Sequence, residues 1–281
     1  MKRHFSLFAT GLALLIGSQA ALAQQQTKTQ YRSSIYVNVP QDKVPAFLEY
    51  QRTVVKKVMQ ERINSGENLE SWALLSLLYR GSPALEYNYV STAVFNGPPP
   101  EPNPTARDQV IKKATGGTYS EYMQKLSSTS TVTGSVLSRV DGAAPGSQMK
   151  EGYVISVGRW KIEPNRGADY AANLKMRVAV QSQAVKEGRF LGWAANRVVS
   201  PAGPNALYDA TTSFIHNDLA SALQGPGGGA NAQAAFAKLF PQASYINYVD
   251  QGRTTRHAVR TELFRALAVV ERPATATTSS R

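Results

Sequence analysis

The chain has 281 residues, 42% of them hydrophobic, with 31 Lys and Arg, 19 Asp and Glu, and no cysteine. That hydrophobic share is ordinary for a globular protein, and the missing thiols exclude disulfides, thiolate nucleophiles, cysteine-ligated metals and covalently attached haem. The formal net charge of +12 is scattered, its densest groups being only Lys56-Lys57 and Lys112-Lys113. With no basic stripe interleaved with aromatics, it is read as a solvated surface, and no nucleic-acid partner is expected.

Residues 1–23, MKRHFSLFATGLALLIGSQAALA, read as a secretory signal. Lys2 and Arg3 form its charged start, an apolar run lies between Phe5 and Ile16, and Ala21-Leu22-Ala23 supplies a small-x-small cleavage site. The apolar run is too short to serve as a membrane anchor, and no cysteine follows that a lipid could modify. The expectation is an exported chain, periplasmic or extracellular, beginning near Gln24 with 258 of the 281 residues. Residues 24–32 are polar and without apolar period, so they are expected to form a flexible lead-in.

A first strand is predicted over SSIYVNVP (33–40), where Ile35, Val37 and Val39 alternate with Ser34, Tyr36 and Asn38. Pro40 stops it, and Asp42 opens a helix to about Asn64 in which Val44, Phe47, Leu48, Val54, Val55, Val58, Met59 and Ile63 follow a 3.6 period. Gly66 ends that helix. Strands follow at 71–80 and 85–95 around the turn Arg80-Gly81-Ser82-Pro83, then the stiff connector GPPPEPNP (97–104). Helical stretches near 105–114 and 119–126 lead to a strand over STVTGSVLSRV (130–140). A second set begins with a strand at 153–164, continues with a helix at 167–186 and strands at 192–200 and 206–216, and passes the loop GPGGGAN (225–231). Helical AQAAFAKLF (232–240) and a closing strand, HAVRTELFRALAVV (257–270), complete it. PATATTSSR (273–281) is small and polar and reads as a disordered tail.

The second set repeats the first. Trp72-Ala73, Pro83 and Tyr87 return as Trp193-Ala194, Pro204 and Tyr208, all shifted by 121, whereas Tyr119, Tyr122, Leu137 and Arg139 return as Tyr245, Tyr248, Leu263 and Arg265, shifted by 126. A five-residue insertion in the connector accounts for the change. Two independent blocks with constant internal spacing favour duplication. The order strand–helix–strand–strand–helix–strand is the split βαβ, ferredoxin-like unit, and its open sheet face needs a cover that a second copy supplies. The predicted fold is therefore α+β: two tandem ferredoxin-like βαββαβ repeats, 33–145 and 152–272, forming a barrel-like pseudo-dimer within one chain.

These features resemble the dimeric α/β-barrel superfamily, which includes antibiotic-biosynthesis-type monooxygenases, haem-degrading monooxygenases and NIPSNAP-like proteins. The carriers are "IYVNVP…AFLEYQRTVVKKV", the Trp-Ala…Pro…Tyr hairpins, and "TGSVLSRVD" with "VRTELFRAL". More narrowly, the chain looks like secreted bacterial tandem-repeat members of that group with no assigned function. The resemblance implies the fold across almost all of 33–272, while unrelated activities share that fold. Haem-degrading members use a first-strand Asn with a Trp and a His. Asn38 and Trp72 match in the first repeat, which lacks the His; Trp193 and His216 match in the second, which lacks the Asn. No cofactor is expected.

Strand alternation separates two faces. On the third strands, Asn88, Val90, Thr92 and Val94, matched by Asp209, Thr211, Ser213 and Ile215, form the more polar face and are assigned to the cavity between the sheets. Arg197 on the neighbouring strand is expected to meet Asp209 and Ser213 there, either as a structural ion pair or as a ligand-orienting group. Trp72 and Trp193 are read as packing residues first and as stacking surfaces for a planar ligand second. His216 takes the place of Phe95 on the drier face, as a packed histidine or, second, as an acid/base group. With so few histidines, no metal site is expected. Three functions stay open: a module binding a small apolar or aromatic ligand, a cofactor-independent monooxygenase acting on a planar aromatic substrate, and a structural protein with a filled barrel. The expected assembly is a monomeric pseudo-dimer or a homodimer. The second copy, where Ser76, Asn88 and Phe95 are replaced by Arg197, Asp209 and His216, is the first place to look for a site.

Overall fold

A computed structural model describes residues 29–79, 86–144, 148–203, 206–225 and 230–273. The signal, most of the lead-in, the landmarks Pro83 and Pro204, and nearly all of the tail lie outside the described residues. Eight strands are present: β1 Gln30–Asn38, β2 Leu69–Tyr79, β3 Tyr89–Asn96, β4 Thr131–Ala144, β5 Val154–Ile162, β6 Gly192–Ser200, β7 Ala210–His216 and β8 Arg256–Glu271. They close into one antiparallel barrel in the order β1-β3-β2-β8-β5-β7-β6-β4.

β1 begins at Gln30, so the expected lead-in over 24–32 ends inside a strand. The polar run there is no obstacle to pairing, because Arg32 bonds across to Val94 and Ser138 on its two neighbours and directs its side chain into the barrel. Between β1 and β2 the chain runs through a 3₁₀ turn at Gln41–Lys43, α1 (Val44–Tyr50), a π-helical turn at Gln51–Val55 and α2 (Lys56–Asn64). α2 stops at Gly66, whose φ of 85° is a conformation that costs glycine little. α3 (Pro104–Thr115) starts one residue before the expected place, with Asn103 capping the Ala106 N–H at 3.1 Å and Pro104 in the first turn, where its missing N–H costs nothing. α4 (Tyr119–Thr129) is held by a capping box between Thr118 and Glu121. In the second half lie α5 (Gly167–Lys186), α6 (Leu219–Leu223), α7 (Ala230–Leu239) and α8 (Tyr245–Thr254). α6 and α8 are absent from the predicted elements. α6 is short and rests on an Asp218 cap, whereas α8 mixes Tyr245, Asn247, Asp250 and Arg253 without a wide apolar stripe.

The two halves share strand order, β4-β1-β3-β2 against β8-β5-β7-β6, and they share register. Ile35 opposite Ser91 corresponds to Gly158 opposite Thr212, and Ser34 opposite Val136 to Val157 opposite Glu262. The seams between the halves match as well, with Ser76 opposite Arg265 in one and Arg139 opposite Arg197 in the other. α4 and α8 start at Tyr119 and Tyr245, the expected shift of 126.

Each strand turns alternate side chains into the barrel and out to the helices. The outward residues of the first half, including Val37, Leu74, Tyr89 and Phe95, pack beneath α1–α4 around Phe47, Val58 and Ile111. Those of the second half, including Trp193, Ala195 and Ala210, pack beneath α5 around Tyr170 and Leu174.

One end of the interior holds charge. Arg159 (3% exposed) and Glu262 (0%) lie between the two sheets, Nε donating to Oε2 at 2.5 Å. The guanidinium also donates to the Tyr36 hydroxyl at 2.9 Å and the Tyr87 hydroxyl at 3.3 Å, while Tyr87 donates to Glu262. Tyr36 and Tyr208 join hydroxyls at 3.0 Å, and Arg159 sits 4.6 Å from the Tyr208 ring centre. Burial opposes the charge on Arg159, but the surrounding phenols and the Glu262 carboxylate overcome it and hold its pKa well above the ordinary value. Burial pushes the phenols of Tyr87 and Tyr208 up, so they stay protonated donors.

Removing one partner of a buried pair strands the other. Glu262→Val, which installs the residue found at the equivalent position 136, should cost about 3–5 kcal/mol. The double change Arg159→Met/Glu262→Val should cost clearly less. Urea denaturation of these proteins and of Arg159→Met measures the coupling; a double-variant loss equal to the sum of the two single losses would show that the pair is not coupled.

Candidate functional site

A concave site lies on the helix side of the first half, between the outer face of β1, β2 and β3 and the helices α1–α4. It is a cavity of about 610 Å³. Ile35, Val37 and Leu74 form its sheet wall, and Phe47, Val55, Val58 and Met59 come from the α1–α2 segment. Ile111, Tyr122 and Leu126 close the far side. Ile35, Met123 and Val132 are 39%, 43% and 63% exposed and rim the mouth. The π turn at Gln51–Val55 lies in the wall, and such one-turn bulges shift the facing of the residues that follow.

Few polar groups reach this cavity. Gln51 is 5% exposed, and its Oε1 accepts no hydrogen bond among the described residues. Ser91 receives the Trp72 Nε1 proton at 2.9 Å on its hydroxyl oxygen, which leaves its own proton to be directed elsewhere. Arg62 is tied to Glu67 at 2.8 Å and lies over Phe95. Tyr122 has its phenol pushed up by burial. The lining has no histidine, and its one carboxylate is the paired Glu67. Among the described residues no three His, Asp or Glu gather as a metal site.

In the second half the equivalent space is filled. Trp160 stands where Val37 does, Gly158 where Ile35 does, and Thr212 where Ser91 does. The Trp160 indole lies across Gly158 and donates to Thr212 at 2.9 Å; a Cβ on Gly158 would meet the ring at 3.1 Å. The Arg256 guanidinium stacks on the indole at 3.8 Å. α5 runs for 20 residues without a π turn. Phe190 meets Phe214 edge-on at 5.1 Å in the same layer.

The expected grouping of Arg197, Asp209 and Ser213 is not formed. Arg197 shares the outward face of β6 with Trp193 and Ala195, ion-pairs with Asp141 at 3.0 Å and lies over Tyr170. Asp209 precedes β7 and is held at the strand end, accepting from the Ile162 N–H at 2.9 Å and from Lys161 at 3.2 Å. Only Ser213 lines the barrel interior, with Thr92 opposite in the first half. Asn88 repeats the Asp209 arrangement: its side-chain amide bonds both the N–H and the C=O of Val39, extending the β1–β3 ladder by one pair. Asn38 is exposed at the end of β1 and apart from the cavity. Trp72 and Trp193 are buried beneath the helices; Trp193 Nε1 finds no partner among the described residues, because Thr212 serves Trp160. His257 is exposed and paired with Glu163 at 2.6 Å. His216 is buried on the outward face of β7, with Nε2 3.1 Å from the Ser156 hydroxyl and its ring 6.4 Å from Phe214.

The site in the first half was readable from one signal. Gln51 falls at four-residue spacing between Phe47 and Val55, a polar side chain inside the apolar stripe of the helix. Arg159 and Glu262 left the same kind of trace, as charges at inward positions of predicted strands.

No family model and no curated protein matches the sequence. Solved structures do match by shape. A candidate monooxygenase from Lactobacillus acidophilus NCFM superimposes with a TM-score of 0.54 at 9% identity, covering 87% of this chain and 97% of that one. A candidate monooxygenase from Fusobacterium nucleatum gives 0.55 at 9% identity over 88% and 95%. An anthrone oxidase-like protein gives 0.50 at 8% identity over 88% and 95%. The chain therefore has the dimeric α/β-barrel fold, with eight antiparallel strands in one closed barrel. No helix among the described residues is long and apolar enough to cross a membrane.

Burial lowers the pKa of His216, with a smaller opposing pull from Asp218. The fold thus holds the neutral imidazole, and this contribution to stability is full above the unfolded value near 6.5. It is lost as pH falls through that value towards the depressed folded pKa. Urea midpoints measured from about pH 7.5 to about pH 5 should fall more steeply for the native protein than for His216→Phe, which copies Phe95.

Proposed function

We propose that the chain binds a small, mainly apolar ring compound in the helix-side cavity of its first half. The observation that carries this reading is the asymmetry between equivalent positions: the space is open at Ile35, Val37 and Ser91 and plugged by Trp160 over Gly158 in the other half. A largely apolar cavity with a few convergent polar groups suits such a ligand, Gln51 Oε1 accepting from a hydroxyl or N–H and Ser91 donating to a carbonyl. We read the whole chain as an exported, duplicated pair of ferredoxin-like repeats, a pseudo-dimer in which one repeat keeps the site. Export rests on the signal-like residues 1–23. The shared strand order and register support duplication.

A second reading, oxidation of a planar aromatic substrate by O₂ without a cofactor, is favoured by the likeness to candidate monooxygenases and an anthrone oxidase-like protein. Such a reaction needs a base to draw a proton from the substrate. The cavity lining offers phenols, an amide, several hydroxyls, the cations of Arg62 and Arg107 and a carboxylate tied to Arg62, none of them a free base, so binding without turnover is the better supported function.

Anthrone serves as probe for both readings. Titration followed by tryptophan fluorescence should show saturable binding to one site, since Trp72 lies behind Ser91. The variant Ile35→Gly/Val37→Trp, which copies the Gly158/Trp160 plug, should keep the fold and lose that binding. Unchanged binding in the plugged variant would overturn the assignment of the site. Conversion of anthrone and O₂ to anthraquinone and water, followed by absorbance, decides between binding and turnover.

A further inference from the structure

We infer that the barrel interior is a second ligand site, separate from the helix-side cavity, and that it takes a small organic anion whose acidic group pairs with Arg32. The interior contains a cavity of about 250 Å³. One end is the Arg159–Glu262–tyrosine cluster, in which the donors of Arg159 are engaged by protein groups. Arg32 stands further along β1, four residues before Tyr36 and on the same inward face.

Arg32 differs from Arg159 in having no counter-ion among the described residues. All 19 acidic residues of the sequence fall within the described residues, and none lies within ion-pair distance of Arg32. Its Nε is shut off from solvent and donates no hydrogen bond among the described residues. A guanidinium does not give up its proton at any ordinary pH, so it cannot escape desolvation by becoming neutral as a lysine or histidine would. Arg32 as a whole is half-buried, with the desolvation falling on its Nε end; burial draws its pKa down against a smaller upward pull from Tyr36.

The walls around Arg32 divide by chemistry. Its neighbours Ser34, Thr92 and Ser138 carry hydroxyls. The equivalent positions of the second half for Arg32, Ser34 and Ser138 are Ile155, Val157 and Phe264, which belong to an apolar cluster with Leu75 and Val90. A charged, hydroxyl-lined wall thus faces an apolar one across a narrow space. That arrangement suits a molecule with an acidic head and a compact hydrocarbon body. The volume is below the roughly 300–1,000 Å³ usual for ligand pockets, so the body is a single ring or a short chain.

Glu271 also lines the cavity, its Oε1 accepting the Met149 N–H at 2.7 Å. Burial raises its pKa, against the lowering effect of the Met149 N–H.

The test is thermal denaturation of the full chain with benzoate, hexanoate and, as an uncharged isostere, benzamide. At about ten times its Kd, benzoate or hexanoate should raise Tm by roughly 3–5 °C, and benzamide should not. Arg32→Met should melt higher than the native protein without ligand, because an uncompensated cation is gone, and should lose the carboxylate response. Arg32→Lys should keep part of it. The plugged variant Ile35→Gly/Val37→Trp should respond to benzoate as the native protein does, which separates this site from the helix-side cavity. The proposal is overturned if neither carboxylate outperforms benzamide on the native protein, if Arg32→Met responds equally, or if the plugged variant loses the response.

Discussion

The barrel is organised around one buried ion pair, Arg159 with Glu262, set where its two halves meet. Tyr36 and Tyr87 come from the first half, and Arg159, Tyr208 and Glu262 from the second. A desolvated pair is a poor source of stability in itself, since removing two charges from water costs about as much as their attraction returns. Its leverage is on register. A slip of one residue along β5 would carry Arg159 to the helix-packed face and leave Glu262 with only the longer 3.3 Å ion pair to Arg260. Arg159 has contacts to β1, to the segment preceding β3 and to β8, so one guanidinium ties together the relative setting of all three.

The same cluster marks where the halves cease to be equivalent. Tyr36 and Arg159 occupy matching positions, as do Val136 and Glu262, and Tyr87 and Tyr208. Two identical chains related by a twofold axis would place two arginines and two glutamates, or none, at this point. Covalent joining permits one of each, and a single Arg159–Glu262 pair, with Arg260 3.3 Å from the same carboxylate, is a form of asymmetry that a homodimeric barrel of identical chains lacks. The same freedom extends outward: Val37 and Trp160 are equivalent backbone positions on β1 and β5, yet one borders a cavity and the other fills it.

The frame of this molecule was legible in the sequence because it rests on patterns of short range. Alternation, turn composition and the repeat itself placed all eight strands, 3.6 periodicity placed the α1–α2 segment, and the bounds of α5 match the expected 167–186. Proline and glycine positions marked most of the ends. The start of β1 was missed because Gln30, Tyr31 and Arg32 look like a polar lead-in until the barrel supplies an interior for Arg32. The site was much less legible. Arg197 and Asp209 looked like partners because both are replaced together in the second half, but identity of change says nothing of facing. Arg197 shares the facing of Trp193, and Asp209 is consumed by the Ile162 backbone. Whether Trp160 swings across Gly158 or stands clear of it is a rotamer choice, and no sequence period records it.

Filling and emptiness in the two halves follow from a few side chains acting in concert. Trp160 lies flat where position 158 has no Cβ, which would meet the ring at a tight 3.1 Å, and its N–H is satisfied by the Thr212 oxygen beneath it. Arg256 then covers the indole and removes it further from solvent. In the first half each of these conditions fails. Ile35 blocks the ring's path, Val37 has no ring to place, and the Ser91 hydroxyl is engaged by Trp72 from the opposite side. The π turn completes the difference, because it breaks the regular facing of the helix beside Gln51, whereas α5 keeps regular packing over Tyr170 and Leu174. The open cavity is thus the outcome of a connected set of residues on β1, β3 and the π turn. Converting one half into the other requires changing that set together, which is why the two faces of a single barrel can hold different roles without disturbing the ion pair that aligns them.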